Sequence, residues 1–407
     1  MAKKIAKNKP APVDALEKKH LIQTYARYNL IMARGKGCWV WDTNGKKYLD
    51  LLSGLAVNAL GYSHPRIVKA IRDQAGILIH TSNLFYHEYQ APLAEALKKA
   101  AGMDRVFFCN SGAEANEGAL KMARVHGGKL SKDKYQVVAL ENSFHGRTFG
   151  ALSATGQPKY QQPFEPLVPG FKFVKMNDTA ALQAAVNKNT CAILLEPIQG
   201  EGGIFEIDKS YARAAAELAK KHSALLIFDE IQTGFGRTGD FLASQAYGVK
   251  PDIVVLAKAM AGGLPLGAFL AREEVARNFV PGMHGTTFGG GPLTCRAALE
   301  FLAVLKDEKL LQNARTVGNY FLKKLRQLQK KHSMIKDIRG RGLMLAIDLD
   351  RSSKPIVARA LERGLIVNST HDTVIRLLPP LIIDRKLVDL GCKIIDELLT
   401  EAASQPA

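Results

Sequence analysis

The stretch Ala224–Phe241, ALLIFDEIQTGFGRTGDF, runs from a nearly continuous apolar segment directly into two acidic residues and a glycine-rich loop. A short, uninterrupted apolar run bounded by polar and glycine residues is typical of a strand buried on both faces. Open α/β sheets place their ligands beyond the carboxyl ends of such strands. The stretch therefore predicts a buried strand over Ala224–Phe228 and a ligand site immediately after it.

Similar short β-rich runs lie on both sides of this strand. Helical patterns such as Glu114–His126 and Tyr211–His222 separate most of them. Strands that alternate with helices predict an α/β protein with a mainly parallel central sheet. The further runs are Val106–Cys109, Gln136–Leu140, Ala192–Leu195, Ile253–Leu256 and Gly267–Ala271.

The two ends of the chain have different patterns. Near the N-terminus, GKGCWVWDTNGKKYLDLLSG predicts a hairpin that turns at Asn44-Gly45. After about residue 298 come a long amphipathic stretch, Arg296–His332, strands at Leu343–Leu349 and Thr373–Leu378, and a last helix, Arg385–Ala402, which together indicate a smaller α+β domain. We therefore expect a disordered basic arm over 1–20, an N-terminal segment over 21–60 that packs with the small domain, a large domain over 61–297 and a small domain over 298–407.

Composition is that of an ordinary globular protein, with 47% hydrophobic and 23% charged residues in 407. No apolar run reaches the roughly 18 residues that a membrane span needs. The five cysteines are far apart and form no CxxC pair, which argues against a disulfide framework and a zinc site. A reducing cytoplasm is the compartment that we predict.

The formal net charge of +18 raises the question of a polyanionic partner. Beyond the first 20 residues, the lysines and arginines are spread through helix-like segments, which favours a solvated basic surface. A nucleic-acid-binding protein is the alternative from another functional class, but the chain has no recognised module or aromatic-interleaved basic motif. An acidic carrier protein stays open as a partner.

One lysine has unusual surroundings. In Pro251–Phe269, PDIVVLAKAMAGGLPLGAF, Lys258 lies among almost wholly apolar and glycine residues. Burial lowers the pKa of an ammonium group and makes the neutral amine available as a nucleophile. The alternative is a side chain whose stem passes through the apolar layer to solvent.

Three other segments carry polar residues at predicted strand ends. In CNSGAEANEGALKMAR, the N–H groups of Gly112 and Ala113 would begin a helix, a geometry that binds phosphate, although an ordinary strand-to-helix turn fits too.

In ENSFHGRTFGALSATG, the ring of Phe144 could stack on a planar cofactor, and the guanidinium of Arg147 could bind a carboxylate through two hydrogen bonds. The alternatives are that Phe144 is a core aromatic residue and Arg147 a surface charge. Asp229, after a buried strand, suits the cation of a protonated pyridine nitrogen, with an exposed acid as the alternative. Without a ligand cluster nearby, we predict no metal.

Six motifs in order, NSGAEAN, FHGRT, EPIQGEGG, DEIQTGFGRTG, LAKAM and HGTTFGG, resemble those of class III aminotransferases. The match runs from about Gly35 to the C-terminus. The resemblance implies a fold-type-I transferase that uses pyridoxal 5'-phosphate and forms a homodimer with active sites at the subunit interface. One departure is Gly291, where family members often have asparagine.

The resemblance also implies roles for individual residues. Lys258 would form the Schiff base and Asp229 would pair with the ring nitrogen, as the two catalytic residues. Thr287 would reach the phosphate of the other subunit's cofactor, with Thr286 near the substrate. The implied cofactor contacts are Gly112, Ala113, Phe144, Asp229, Glu230, Ile231, Gln232, Lys258 and Thr287, and the implied substrate contacts are Arg147, Glu201, Thr286 and Arg376.

Within the class, SGLAVNALGYSHP and SNLFYHEYQ are most similar to arginine-biosynthesis enzymes that move the δ-amino group of N-acetylornithine to 2-oxoglutarate. Their products are N-acetylglutamate semialdehyde and glutamate. Ornithine aminotransferases typically have a tyrosine where this chain has Leu55. Ornithine, succinylornithine, 4-aminobutyrate and a carrier-bound lysine precursor stay open as amino donors.

Overall fold

The structure, a computed structural model, describes residues 13–404. Its strands are β1 (Met32–Lys36), β2 (Trp39–Asp42), β3 (Lys47–Asp50), β4 (Arg105–Cys109), β5 (Gln136–Leu140), β6 (Phe171–Val174), β7 (Thr190–Leu195), β8 (Ile198–Gln199), β9 (Phe205–Glu206), β10 (Leu225–Asp229), β11 (Ile253–Leu256), β12 (Gly267–Ala271), β13 (Ile335–Arg341), β14 (Met344–Leu349), β15 (Leu365–Ile366), β16 (Asn368–Thr370) and β17 (Val374–Leu377). Its helices are α1 (Val13–His20), α2 (Ser53–Ala56), α3 (Pro65–Ala75), α4 (Gln90–Ala101), α5 (Gly112–Leu130), α6 (Phe149–Ser153), α7 (Pro158–Gln161), α8 (Thr179–Ala185), α9 (Lys209–Lys221), α10 (Glu273–Ala276), α11 (Pro292–Asp307), α12 (Leu310–Lys331), α13 (Lys354–Glu362) and α14 (Arg385–Ala403).

The central sheet has seven strands in the order β4-β12-β11-β10-β7-β5-β6. Strand β12 is antiparallel to both of its neighbours, whereas the pairs from β11 to β6 are all parallel. The predicted mainly parallel sheet is therefore confirmed. Each of the six predicted runs is one of its strands, and β6 at the edge was not predicted.

Both faces of the sheet are covered, which explains why its strands are apolar throughout. Consecutive residues of β10 enter different clusters: Ile227 packs with α5 on one face, and Phe228 packs with α9 on the other. Asp229 lies two residues after Ile227, so its side chain points to the α5 side. The register thus decides which helix the carboxylate meets.

The described residues also form two four-stranded sheets and a two-stranded sheet of β8 and β9. The predicted hairpin is confirmed, because β2 and β3 are antiparallel and Asp42 accepts hydrogen bonds from the turn N–H groups of Asn44 and Lys46, both at 2.9 Å. Strand β15 joins β3 in parallel, which ties the N-terminal segment to the C-terminal part of the chain. The other four-stranded sheet has the order β13-β14-β17-β16. The proposed domain boundaries stay a prediction.

The amphipathic stretch Arg296–His332 contains most of α11 and all of α12, because α11 ends at Asp307 and Lys309 has φ 53° before α12 begins. One sequence expectation needs correction. The expected disordered arm falls outside the described residues over 1–12, but Val13–His20 form α1. An acidic residue in its first turn and basic residues in its last turn complement the helix dipole.

Candidate active site

A cavity of about 440 Å³ opens at the carboxyl ends of the central strands. Residues that follow β4, β5, β10 and β11 line it. Ligands of open α/β sheets bind at this edge, because loops from several strands converge there. The cavity brings together these predicted residues: Gly112, Ala113, Phe144, Arg147, Glu201, Asp229, Ile231, Gln232 and Lys258.

Asp229 is held by a set of buried polar groups at the end of β10. Its Oδ2 accepts a hydrogen bond from Asn116 Nδ2 at 2.8 Å and lies 2.7 Å from His145 Nδ1. Burial alone would lower the pKa of His145, but the hydrogen bond and the negative charge of Asp229 outweigh it and raise that pKa. The acid therefore favours a charged imidazole and is itself kept in one orientation at the cavity wall.

Lys258 enters the same cavity from the turn after β11. The turn Lys258–Ala261 is a 3₁₀ helix whose first residue has φ 49°. Desolvation lowers the pKa of Lys258 below its ordinary value, although the negative charges of Glu201 and Asp229 oppose this shift. A lysine with a lowered pKa has more of the neutral amine that acts as a nucleophile or base.

The third wall is the N-terminus of α5. Ser111 caps this 19-residue helix by accepting a hydrogen bond from Glu114 N at 3.2 Å. Gly112 packs closely on the β10 loop, since a Cβ there would lie 2.6 Å from Ile231 Cδ1. The first N–H groups of the helix have no intrahelical partner and, together with the helix dipole, suit a phosphate.

Glu201, which lines the cavity, meets a buried arginine that does not line it. Arg376, on β17, is 1% exposed and donates through Nη1 to Glu201 Oε1 at 2.6 Å and to the Gly200 carbonyl at 2.9 Å. Burial of Glu201 would raise its pKa, but the charge and hydrogen bond of Arg376 lower it overall. The pair is thus a closed contact between the loop after β8 and the C-terminal sheet.

Three residues of this site were missed in the sequence. His145 and Asn116 orient Asp229, and the buried Glu196 accepts a hydrogen bond from Phe144 N at 2.9 Å. Desolvation raises the pKa of Glu196 to about 7. The motifs FHGRT, NSGAEAN and EPIQGEGG contain these residues, so their position in the motifs was the available signal.

Some predicted contacts lie elsewhere. Glu230 turns away from the cavity, because consecutive residues point to opposite sides, and its carboxylate accepts hydrogen bonds from the N–H groups of Ala243 and Ser244 at 3.0 and 2.7 Å. Its predicted contact with the cofactor stays a prediction. Thr286 and Thr287 line a different cavity of the same chain, in front of β4. Their predicted roles involve a second subunit and stay predictions.

A family model described as "Aminotransferase class-III" matches residues 22–399. The chain belongs to the class-III aminotransferases. The acetylornithine aminotransferase of Methanocaldococcus jannaschii is 48% identical over 95% of this chain and 97% of its own length. That of Methanothermobacter thermautotrophicus is 48% identical over 95% and 98%.

Solved structures agree with this membership. The ornithine aminotransferase of Toxoplasma gondii, in a structure with partial occupancy of PLP at its active site, superposes with a TM-score of 0.92 and 36% identity. The match covers 96% of this chain and 94% of that one. This chain is an aminotransferase of fold type I, and its cofactor is pyridoxal 5'-phosphate.

The cavity fits this cofactor on its own chemistry. Three features line the same cavity of about 440 Å³. They are a helix N-terminus that suits a phosphate, a buried acid that suits a protonated ring nitrogen, and Lys258, whose pKa is lowered. Gln232 adds a buried Oε1 without a hydrogen-bond partner among residues 13–404. Over the same residues, no cluster of three or more histidine, cysteine or acidic side chains could hold a metal ion.

Proposed function

We propose that this aminotransferase moves the δ-amino group of N-acetylornithine to 2-oxoglutarate, giving N-acetylglutamate semialdehyde and glutamate in arginine biosynthesis. The observation that carries the proposal is a pair of arginines in different states: Arg147 lines the cavity, and Arg376 is buried behind Glu201, which also lines the cavity. Arg147 is exposed at its mouth, whereas Arg376 is buried and covered by Glu201. One arginine would serve each of two carboxylate substrates of different length.

The residues around Lys258 would perform the proton transfers. Bound pyridoxal phosphate supplies the electron sink for the exchange of the amino group. The Lys258 amine, with its lowered pKa, would take and return the proton at the substrate carbon as general base and acid. Asp229 would hold a positive charge on the ring nitrogen, and His145 and Asn116 would keep its carboxylate in position.

The Glu201–Arg376 contact would act as a switch between the two halves of the reaction. With the ω-amine donor bound, Glu201 shields Arg376, and the α-carboxylate of the donor binds Arg147. With glutamate or 2-oxoglutarate bound, Glu201 would move away and free the Arg376 fork for the α-carboxylate. The exposed fraction of the Glu201 side chain, 28%, leaves it room to turn.

The site would be completed by a second copy of the chain, in a cytoplasmic homodimer. The segment before α4 exposes a row of large apolar side chains, including Leu84, Phe85 and Tyr86. Asn83 Nδ2 donates a hydrogen bond to the Thr286 carbonyl at 3.1 Å and so links this segment to the loop that contains Thr286 and Thr287. An exposed apolar surface of this kind supports an association of subunits, with Thr287 reaching the partner's cofactor. Among residues 13–404, no helix is both long and apolar enough to cross a membrane.

Ornithine is the second candidate donor, because the Toxoplasma gondii enzyme of similar fold is an ornithine aminotransferase. Two observations argue against ornithine. The relatives named acetylornithine aminotransferase have higher identity to this chain, and the chain has Leu55 where ornithine aminotransferases typically have a tyrosine.

The donor is tested by single-turnover half-reactions of the purified holoenzyme. Its absorbance change is followed with N-acetylornithine, ornithine, succinylornithine and 4-aminobutyrate, each over a range of concentrations. We expect the highest kcat/KM for N-acetylornithine, and a clear preference for another donor would refute the proposal. Lys258→Ala controls for the reaction itself and should lose the cofactor–lysine absorbance together with turnover.

A further inference from the structure

The Arg147 guanidinium lies against aromatic rings at the mouth of the cavity. Its Cζ is 4.0 Å from the centroid of the Tyr160 ring and 5.5 Å from that of Phe144, and the two rings meet edge to face at 6.1 Å. A guanidinium within about 6 Å of a ring centroid gains a cation–π attraction. Tyr160 is the closer of the two rings and is outside the sequence motifs of the site.

The contacts of Arg147 leave its N–H groups available. Among residues 13–404, its side chain makes neither a hydrogen bond nor an ion pair, in contrast to Arg376, which donates to Glu201, Gly200 and Asn368. Stacking uses the face of a guanidinium, whereas hydrogen bonds to a carboxylate use its edge. The ring therefore orients the arginine without occupying its donors.

Tyr160 is itself fixed relative to the loop that carries Arg147. Its helix α7 begins next to Gln157, whose Nε2 donates to the Ser143 carbonyl at 3.1 Å. At the other end of α7, Gln161 Nε2 donates to the Leu152 carbonyl at 3.2 Å. The ring and the loop that starts at Ser143 thus form one connected unit.

We infer that Tyr160 is a positioning residue for Arg147: its ring fixes the guanidinium at the cavity mouth so that Arg147 binds the α-carboxylate of the ω-amine donor. The inference rests on the proposed function, since it assigns Arg147 to the donor. Lys159, with its Nζ 4.8 Å from the same ring, adds a second positive charge at this mouth and so favours an anionic substrate end.

The test is a double-mutant cycle on the holoenzyme with Tyr160→Leu, Arg147→Ala and the double variant. Half-reaction kcat and KM are measured with N-acetylornithine and, separately, with glutamate. We expect Tyr160→Leu to lower kcat/KM for N-acetylornithine by about 2- to 30-fold, mostly through KM, because that range corresponds to the strength of a cation–π contact. For glutamate, whose α-carboxylate would bind Arg376, kcat/KM of the Tyr160→Leu variant should change by less than about 2-fold.

Two controls separate positioning from a general structural effect. Tyr160→Phe keeps the ring and should restore most of the rate. Tyr135→Leu removes another tyrosine that lies against an arginine, Arg124 at 5.9 Å, outside the cavity, and should leave both rates unchanged.

The outcomes distinguish this inference from the donor assignment. If Tyr160→Leu weakens the donor as strongly in the Arg147→Ala background as in the wild type, or if Tyr160→Phe fails to restore the rate, the positioning role is refuted. If another donor is preferred but the two residues are coupled toward that donor's carboxylate, only the choice of N-acetylornithine is refuted.

Discussion

At the scale of single residues, Asp229 is buried and held by two polar partners, so that its carboxylate has one fixed orientation at the cavity. It is 4% exposed, and the partners of its Oδ2 are an amide and an imidazole. Asp229→Asn keeps the size of the side chain and removes its charge. We expect kcat/KM to fall by at least about 10²-fold, since removal of one oriented polar group that stabilises charge in an active site typically costs about 10²- to 10³-fold in rate.

The same substitution has a second expected effect, which NMR titration of His145 measures. Because the charge of Asp229 raises the pKa of His145 against the effect of burial, Asp229→Asn should lower that pKa. Glu230→Gln is the matched control, since it neutralises the adjacent buried acid that does not line the cavity. It should cost stability but leave kcat largely unchanged, and equal losses in both variants would contradict the assignment.

Glu196 predicts a pH dependence of stability. Desolvation raises its pKa from 4.5 to about 7, so the folded state favours the protonated acid. The stability that this acid contributes is complete below pH 4.5 and is lost as the pH rises through about 7. Relative to Glu196→Gln, the cofactor-free wild type should therefore lose up to about 3 kcal/mol of unfolding free energy over this window.

The measurement is urea unfolding of both proteins at several pH values from 4.5 to 8. Glu141→Gln, at an exposed position directly after β5, controls for the change of net charge. Parallel stability profiles of the wild type and Glu196→Gln would show that Glu196 does not titrate in this window.

How far the site could be predicted depends on where each residue's partners lie in the chain. Lys258 and Asp229 could be predicted, because each follows an apolar strand in its own segment. His145 and Asn116 are 84 and 113 residues from Asp229. Their contacts arise only when β5, α5 and β10 come together, so their place in the motifs indicated the site but not their contact with Asp229. The direction of the Glu230 side chain, away from the cavity, could not be predicted, because the sequence shows two adjacent acids but not which way each one points.

At the scale of elements, the central strands were predictable because burial on both faces leaves an uninterrupted apolar run. Strand β13, IKDIRGR, was missed because only Ile335 and Ile338 are apolar and buried, and their spacing of three residues does not match the period of a strand. The break between α11 and α12 was missed because it lies at Lys309, a residue type that gives no turn signal. Sequence patterns thus report burial more reliably than they report backbone geometry.

Lys309 leads to a prediction about this break. It is exposed and has φ 53°, a left-handed conformation that costs a residue with a Cβ roughly 1–2 kcal/mol. Lys309→Gly should raise the free energy of unfolding by a few tenths to about 1 kcal/mol, since the greater freedom of glycine in the unfolded chain offsets part of the gain. Lys309→Ala retains a Cβ, so its free energy of unfolding should not rise. Denaturant unfolding of the wild type and both variants measures this difference, and an equal rise for alanine would contradict the backbone explanation.

At the scale of the whole molecule, the position of the Thr286–Thr287 loop distinguishes a site within one chain from a site shared by two. Thr287 is exposed and does not line the cavity that holds Lys258. It lies on the same surface as the exposed apolar segment of Leu84 and Phe85, to which Asn83 connects its loop. Both features are expected if this surface meets a second subunit.

Subunit complementation tests this arrangement. Lys258→Ala removes the reacting amine, and Thr287→Glu places a negative charge where the partner's phosphate is expected. Each homodimer should be nearly inactive at limiting cofactor. In a mixed dimer, however, one of the two sites would combine Lys258 of one subunit with Thr287 of the other. Because half of the dimers in an equal mixture are mixed and each has one intact site, co-refolding should restore about one quarter of wild-type activity. Thr287 acting within its own chain would leave every site with a defect, and the mixture would then be no more active than the mean of the two variants.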